Sequence, residues 1–216
     1  MVEYLKITKE NQDLLLKNKE LLKQMYESYN TYFGSYRIYD YNFKTFCAET
    51  KAILNKKQNM FYLTVDKNKL LAGVNITIIP HQSIPLKKEA LVSFIFTNPK
   101  YEKQNFGLKT LLYTLADLRV NQKDVLLLSC HAENIITNSI FKRAVGKKKI
   151  KIPIGNKEGY NLIQKVLRKV GKSNPVVYYR GVDLNAYNPE IHINRKPKPK
   201  IKNKTIKKSL LRIRPK

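Results

Sequence analysis

The chain has 216 residues, 43% of them hydrophobic, which is ordinary globular usage and enough for one packed domain. Forty-two lysines and arginines against sixteen aspartates and glutamates leave a formal charge of +26, which points to an acidic partner, nucleic acid first and an acidic protein or membrane surface second. No apolar run is long enough for a membrane span, and the N-terminus lacks the basic-then-apolar pattern of a signal peptide, so a location inside a cell or a virion is expected.

Lysine richness also accompanies AT-rich coding, which the many Asn, Ile and Tyr residues suggest, and a charged surface aids solubility. Cys47 and Cys130 lie far apart in apolar patterns and read as buried thiols of an intracellular protein, with no disulfide or metal spacing.

Val2–Ile7 has the composition of a first strand. Thr8 then caps a helix that carries Leu14, Leu15, Leu21, Leu22, Met25 and Tyr26 on one face. The aromatic stretch Tyr29–Tyr36, interrupted by Gly34 and Ser35, reads as a loop. The tyrosine-rich stretch Tyr26–Tyr41 suits a protein neighbour better than stacking on bases. A second helix runs from Asn42 to Leu54, with Phe43, Phe46, Cys47, Thr50, Ile53 and Leu54 at helical spacing. Met60–Val65, the turn Asp66–Lys69 and Leu70–Ile79 make a hairpin.

The segment from Glu89 to Gly146 organises the rest. An apolar strand, Ala90–Phe96, turns through Thr97–Gly107 into a helix with Leu108, Leu111, Leu112, Leu115 and Leu118 on one face. A second strand, Val125–Cys130, follows, and Asn134 leads into a short helix with Ile140 and Phe141. Strand, helix and strand in this order call for a parallel pair joined by a crossover. The turn residues Gln104, Asn105, Phe106, Gly107 and Leu108 sit at a helix start, whose unpaired N–H groups and partial positive charge suit a pyrophosphate. Gly107 lets the backbone approach closely, and Asn105 tolerates a left-handed conformation. Glu102 repels an anion at this place, and Lys100, Lys103 and Lys109 offset it.

On Pro99, Tyr101, Gln104, Gly107, Asn134 and Phe141, this stretch resembles the acyl-CoA-binding core of the GNAT (N-acetyltransferase) superfamily. The order of elements outside it agrees. The chain departs from the family pattern at Glu102, where Arg is usual, at Asn105, a loop-glycine position, and at Phe141, which replaces Tyr. The resemblance implies an α/β (α+β) fold with a GNAT-like mixed central sheet and helices on both faces. It also implies that Gln104, Asn105, Phe106, Gly107, Leu108 and Asn134 contact acetyl-CoA, if an acyl-CoA binds.

In such enzymes an amine attacks the acetyl thioester, strand N–H groups polarise the carbonyl, a carboxylate or water chain takes the amine proton, and a Tyr protonates the thiolate. Phe141 cannot donate that proton. Glu89, Glu133 and Tyr101 are the remaining candidates, and a solvated surface charge is the plainer identity of the two glutamates. His131 follows the fifth strand and is a candidate proton carrier, although a lone His is more often structural. Asn134 is as readily a helix cap as a ligand contact. No cluster with metal-ligand spacing is present.

Past Phe141, Ile150, Ile152 and Ile154 alternate as a strand, a helix carries Leu162 to Val170, and Pro175–Arg180 make a last strand. The domain is placed at residues 1–184, and residues 185–216 form an extended basic tail. Its Pro197 and Pro199 exclude a helix. Arg195, Lys196, Lys198, Lys200, Lys202, Lys204, Lys207, Lys208, Arg212 and Arg214 are its partner contacts, suited to phosphates rather than to base reading.

Two functions compete on this evidence. The altered positions and the tail favour a non-catalytic GNAT-like structural protein of a large nucleoprotein assembly, needing no cofactor and packed against other subunits or nucleic acid. A virion component of a short-tailed bacteriophage is the first such home, and a mitochondrial ribosomal protein is another. The alternative is an active acetyl-CoA-dependent N-acetyltransferase whose tail anchors an acidic substrate.

Overall fold

Six strands form one sheet in chain order in the computed structural model, which describes residues 1–33, 41–81, 84–132, 143 and 178–184. They are β1 (Val2–Ile7), β2 (Asn59–Asp66), β3 (Lys69–Pro80), β4 (Lys88–Thr97), β5 (Val125–Ala132) and β6 (Tyr178–Asp183). Every neighbouring pair is antiparallel except β4 with β5. The described helices are α1 (Asp13–Leu16), α2 (Lys19–Phe33), α3 (Phe43–Leu54) and α4 (Phe106–Asn121). The sheet is mixed, and helices cover both faces.

Alternation along the strands separates two cores. Met60, Tyr62, Val74, Ile76, Ala90 and Val92 point to one face and meet Leu111, Leu115 and Leu118 of α4. Phe61, Leu63, Val65, Leu70 and Phe96 point to the other and meet Leu15, Leu21, Leu22, Met25, Phe46 and Leu54. β2 is therefore buried almost throughout. Two polar contacts fix α4 on its sheet face. The Thr64 and Thr110 hydroxyls lie 2.6 Å apart near its start. Near its end, Asp117 accepts from Lys6 Nζ at 2.7 Å and from the Tyr62 hydroxyl at 2.6 Å.

The first helical segment differs from its periodicity. Thr8 and Asn11 close a 3-10 turn, Lys9–Asn11, with the Thr8 N–H donating to Asn11 Oδ1 at 2.7 Å. The chain then breaks again after α1, and α2 is capped separately by Asn18, whose Oδ1 accepts from the Leu21 N–H at 3.0 Å. Leu14 is 59% exposed, because these breaks take it off the apolar stripe. The helix α2 runs on to Phe33, so the first residues of the expected Tyr29–Tyr36 loop are helical. Tyr29 packs tilted on Phe46 and edge-on to Phe94, and this packing outweighs the weak helix propensity of aromatic residues.

The last strand is Tyr178–Asp183, three residues later than expected for its end, and its partner strand carries it as far as Leu127. Leu184 is buried beside it. Cys47 is half-buried against the second core rather than fully buried. The helices and strand expected between Asn134 and Val177 and the tail from Asn185 lie outside the described residues. Among the described residues, no helix is long and apolar enough to cross a membrane.

Candidate active site

The parallel strands β4 and β5 are paired from Lys88 with Val125 to Val92 with Cys130. Beyond that point β4 continues to Thr97 along β3, and β5 continues to Ala132 along β6. The two strands part there and leave a wedge between them. At the same place β4 has one residue too many. Asn75 faces Phe94 and Ile76 faces Val92, so Ser93 is bulged. A bulge bends its strand and sharpens its twist, which turns the end of β4 away from β5.

The connection from β4 into α4 lies at the wide end of this wedge. Asn98 is buried and holds the turn: its Nδ2 donates to the Leu70 carbonyl at 2.8 Å, and its Oδ1 accepts from the Lys100 N–H at 3.1 Å. Pro99 opens a 3-10 turn, Pro99–Tyr101. Lys103 and Asn105 then both take left-handed conformations, with φ of 65° and 63°. Asn105 is the residue before α4, yet its side chain does not cap the helix. Its Oδ1 accepts from Arg143 Nη2 at 2.9 Å instead. The first helical bond runs from the Lys109 N–H to the Asn105 carbonyl at 2.9 Å. The amides of Phe106, Gly107 and Leu108 thus precede the ladder, as first-turn donors do. Gly107 is buried, and Lys109 Nζ lies 4.9 Å from the centre of the Phe106 ring.

Alternating left-handed residues before a helix start aim backbone N–H groups at one point. Lys100, Lys103, Lys109 and Arg143 are exposed around it, against the exposed carboxylate of Glu102. These residues fit a diphosphate group. They bring together five of the six residues expected to contact acetyl-CoA; the sixth, Asn134, lies outside the described residues.

Solved structures share this architecture. The structure of Tetrahymena GCN5 superposes with a TM-score of 0.55 at 12% identity, covering 87% of this chain and 99% of that one. An aminoglycoside acetyltransferase from an uncultured soil metagenomic sample, in complex with trehalose, matches with a TM-score of 0.53 at 10% identity over 71% of this chain and 93% of that one. A ribosomal-protein-alanine N-acetyltransferase from Brucella melitensis biovar Abortus 2308 matches with a TM-score of 0.51 at 11% identity, over 71% and 98%. The chain has the GNAT fold. No protein-family model and no curated protein sequence matches it.

Within the GNAT frame, the catalytic candidates separate. Glu89 is wholly buried on β4, opposite Ile79 of β3 and Leu127 of β5, which corrects its reading as a solvated surface charge. Burial of a carboxylate is costly and marks the position as one with a structural or chemical role. Tyr101 is half-buried in the 3-10 turn, with its N–H donating to the Asn98 carbonyl at 2.8 Å. Glu133 and the basic tail residues lie outside the described residues. Among the described residues no group of His, Cys, Asp and Glu is placed to hold a metal.

Three residues of the site, Arg143, Ser93 and Thr77, escaped sequence reasoning. Arg143 reaches the loop from a distant part of the chain, and no local pattern announces it. Ser93 is exposed at the bulge, and its hydroxyl lies 3.1 Å from that of Thr77 on β3. A lone serine inside the run Ala90–Phe96 was the available signal for the bulge.

Proposed function

We propose that the chain is an acyl-CoA-dependent N-acyltransferase. The observation that carries this reading is the parting of β4 from β5 after Val92, beside a loop shaped for a diphosphate. The wedge accepts a long thioester-bearing arm between two strand edges, with Gln104, Asn105, Phe106, Gly107 and Leu108 at its phosphate end. An acyl-CoA supplies the activated acyl group as a substrate. The chain supplies orientation, strand N–H groups at the bulge and the carboxylate of Glu89 as the base for the acceptor amine.

The fold likeness to acetyltransferases favours this reading over a virion or ribosomal scaffold, for which none of those matches speaks. The altered position 105 also loses its force as a sign of decay. Asn105 adopts the left-handed geometry a glycine would supply. Phe141 remains a departure, and the proton for the departing sulfur comes from elsewhere in the site. The charge of +26 favours an acceptor carried on an acidic surface, with Arg195–Lys216 as its anchor.

Calorimetry with acetyl-CoA tests the reading. Saturable binding in the micromolar range is expected, weakened at least tenfold by Gly107→Glu, which sets a carboxylate among the phosphate-facing amides. Absence of binding to the full chain sinks the proposal. Glu89→Gln, in turn, is expected to leave acetyl-CoA binding intact and lower kcat by roughly 100-fold, within the usual range for a general base.

A further inference from the structure

Three features stand apart from the diphosphate loop. One is the shallow cavity of about 300 Å³ between Lys57, Met60, Ile78 and Lys88, at the end of the sheet away from the wedge's mouth. Another is the Tyr4–Tyr113 stack over β1, with centroids 4.8 Å apart. The third is the hydroxyl pair at the bulge. Nothing says what fills the first or covers the second. The third has a position, a partner and a chemistry.

Alternation along β4 puts Glu89, Leu91 and Ser93 on one face of the sheet. Thr77 stands opposite Leu91, and its hydroxyl meets that of Ser93 at 3.1 Å, so it shares that face. Glu89 is the diagonal neighbour of Thr77, two residues before Leu91. Diagonal neighbours of an antiparallel pair lie about 7–8 Å apart, a gap that one water or a glutamate side chain spans. Ser93 is exposed and Glu89 wholly buried. The two hydroxyls therefore share the sheet face of the buried carboxylate, with Ser93 at its exposed end beside the bulge.

We infer that Ser93 and Thr77 form a two-hydroxyl proton relay from the acceptor amine to Glu89. The inference rests on the acyltransferase reading. When the amine nitrogen bonds to the acyl carbon, its proton passes to Ser93 Oγ, the Ser93 proton passes to Thr77 Oγ1, and the Thr77 proton reaches the Glu89 carboxylate. The C–S bond breaks with its electron pair on sulfur. The proton held on Glu89 returns through the same hydroxyls to the thiolate, so charge and protons balance and the site is reset. This return also accounts for a site in which Phe141 holds no proton to give.

The test uses the full chain, acetyl-CoA, and a panel of spermidine, a lysine-terminated peptide and an aminoglycoside, following thiol release. Ser93→Ala and Thr77→Val are each expected to lower kcat about 10- to 100-fold, while the acetyl-CoA Kd by calorimetry and the melting temperature stay as in the parent. Ser93→Thr restores the rate. The parent's solvent deuterium isotope effect should curve with deuterium fraction, as several protons move together, and become linear in either variant. Unchanged kcat in both variants, with acetyl-CoA still bound, overturns the relay alone. Absence of acetyl-CoA binding, or of turnover with every amine, overturns the acyltransferase reading and the relay with it.

Discussion

Asn105 carries a backbone geometry that most side chains resist. A left-handed conformation costs an ordinary L-residue roughly 1–2 kcal/mol, and a β-branched residue resists it most. Asn105→Val is therefore expected to destabilise the chain by about that amount in urea unfolding and to weaken acetyl-CoA binding, while Asn105→Gly keeps both near the parent values. Equal stability of the valine variant would mean that the loop is not held in this conformation.

Asp117 offers a second test at the same scale. Burial pushes its carboxyl up, but hydrogen bonds from Lys6, Tyr62 and Asn121 outweigh this and hold it below the ordinary range. A carboxyl depressed in the folded state stabilises above its unfolded value, near pH 4, and that contribution is lost as pH falls through the folded value. Stability measured between about pH 5 and pH 2 should fall less steeply in Asp117→Asn than in the parent. Asp117→Ala at neutral pH is expected to cost roughly 2–3 kcal/mol, since Lys6 and Tyr62 lose a charged partner.

Among the elements, β3 shows how closely the sheet is packed. Gly73 lies opposite Phe96, and a Cβ there would stand 2.5 Å from the Phe96 ring and 3.0 Å from Leu63 Cδ2. Both neighbours are buried and have little room to yield. Gly73→Ala should cost about 1–3 kcal/mol by overpacking, read from the denaturant midpoint; a neutral outcome would mean the Phe96 ring is free to shift.

The elements were legible where their pattern is local. β1, the β2–β3 hairpin, α3 with its Asn42 cap, and the strand–helix–strand of β4, α4 and β5 all follow from periodicity and turn residues. α2 was cut short because its aromatic end gains its helix from Phe46 and Phe94, which are distant in sequence. Ser93 interrupts an apolar run, but that interruption alone does not locate the bulge, for a related reason. Which residue is extra depends on the register with β3, and register belongs to the pair of strands.

For the whole molecule, the dominant feature is charge. A chain of +26 with a lysine-rich end is expected to bind a 30-nucleotide single strand at 50 mM salt and to weaken by about 10³-fold at 200 mM, as counterions are released from several phosphates. Replacing the basic residues of Arg195–Lys216 by glutamine should flatten that slope while leaving acetyl-CoA binding unchanged. A slope that survives the replacement would place the contacts on the domain surface instead.

The sequence alone determined that the chain makes a mixed sheet with a crossover helix, that position 105 suits a left-handed turn, and that the chain carries a large positive charge. These depend on near neighbours in the chain or on composition, and neither requires a partner strand. Only the tertiary structure decided where β4 and β5 part, that Arg143 reaches Asn105, that Glu89 is buried, and that Ser93 meets Thr77. Each of those is a relation between segments that fold together from far apart, and a distance between such segments is written in no single stretch of residues.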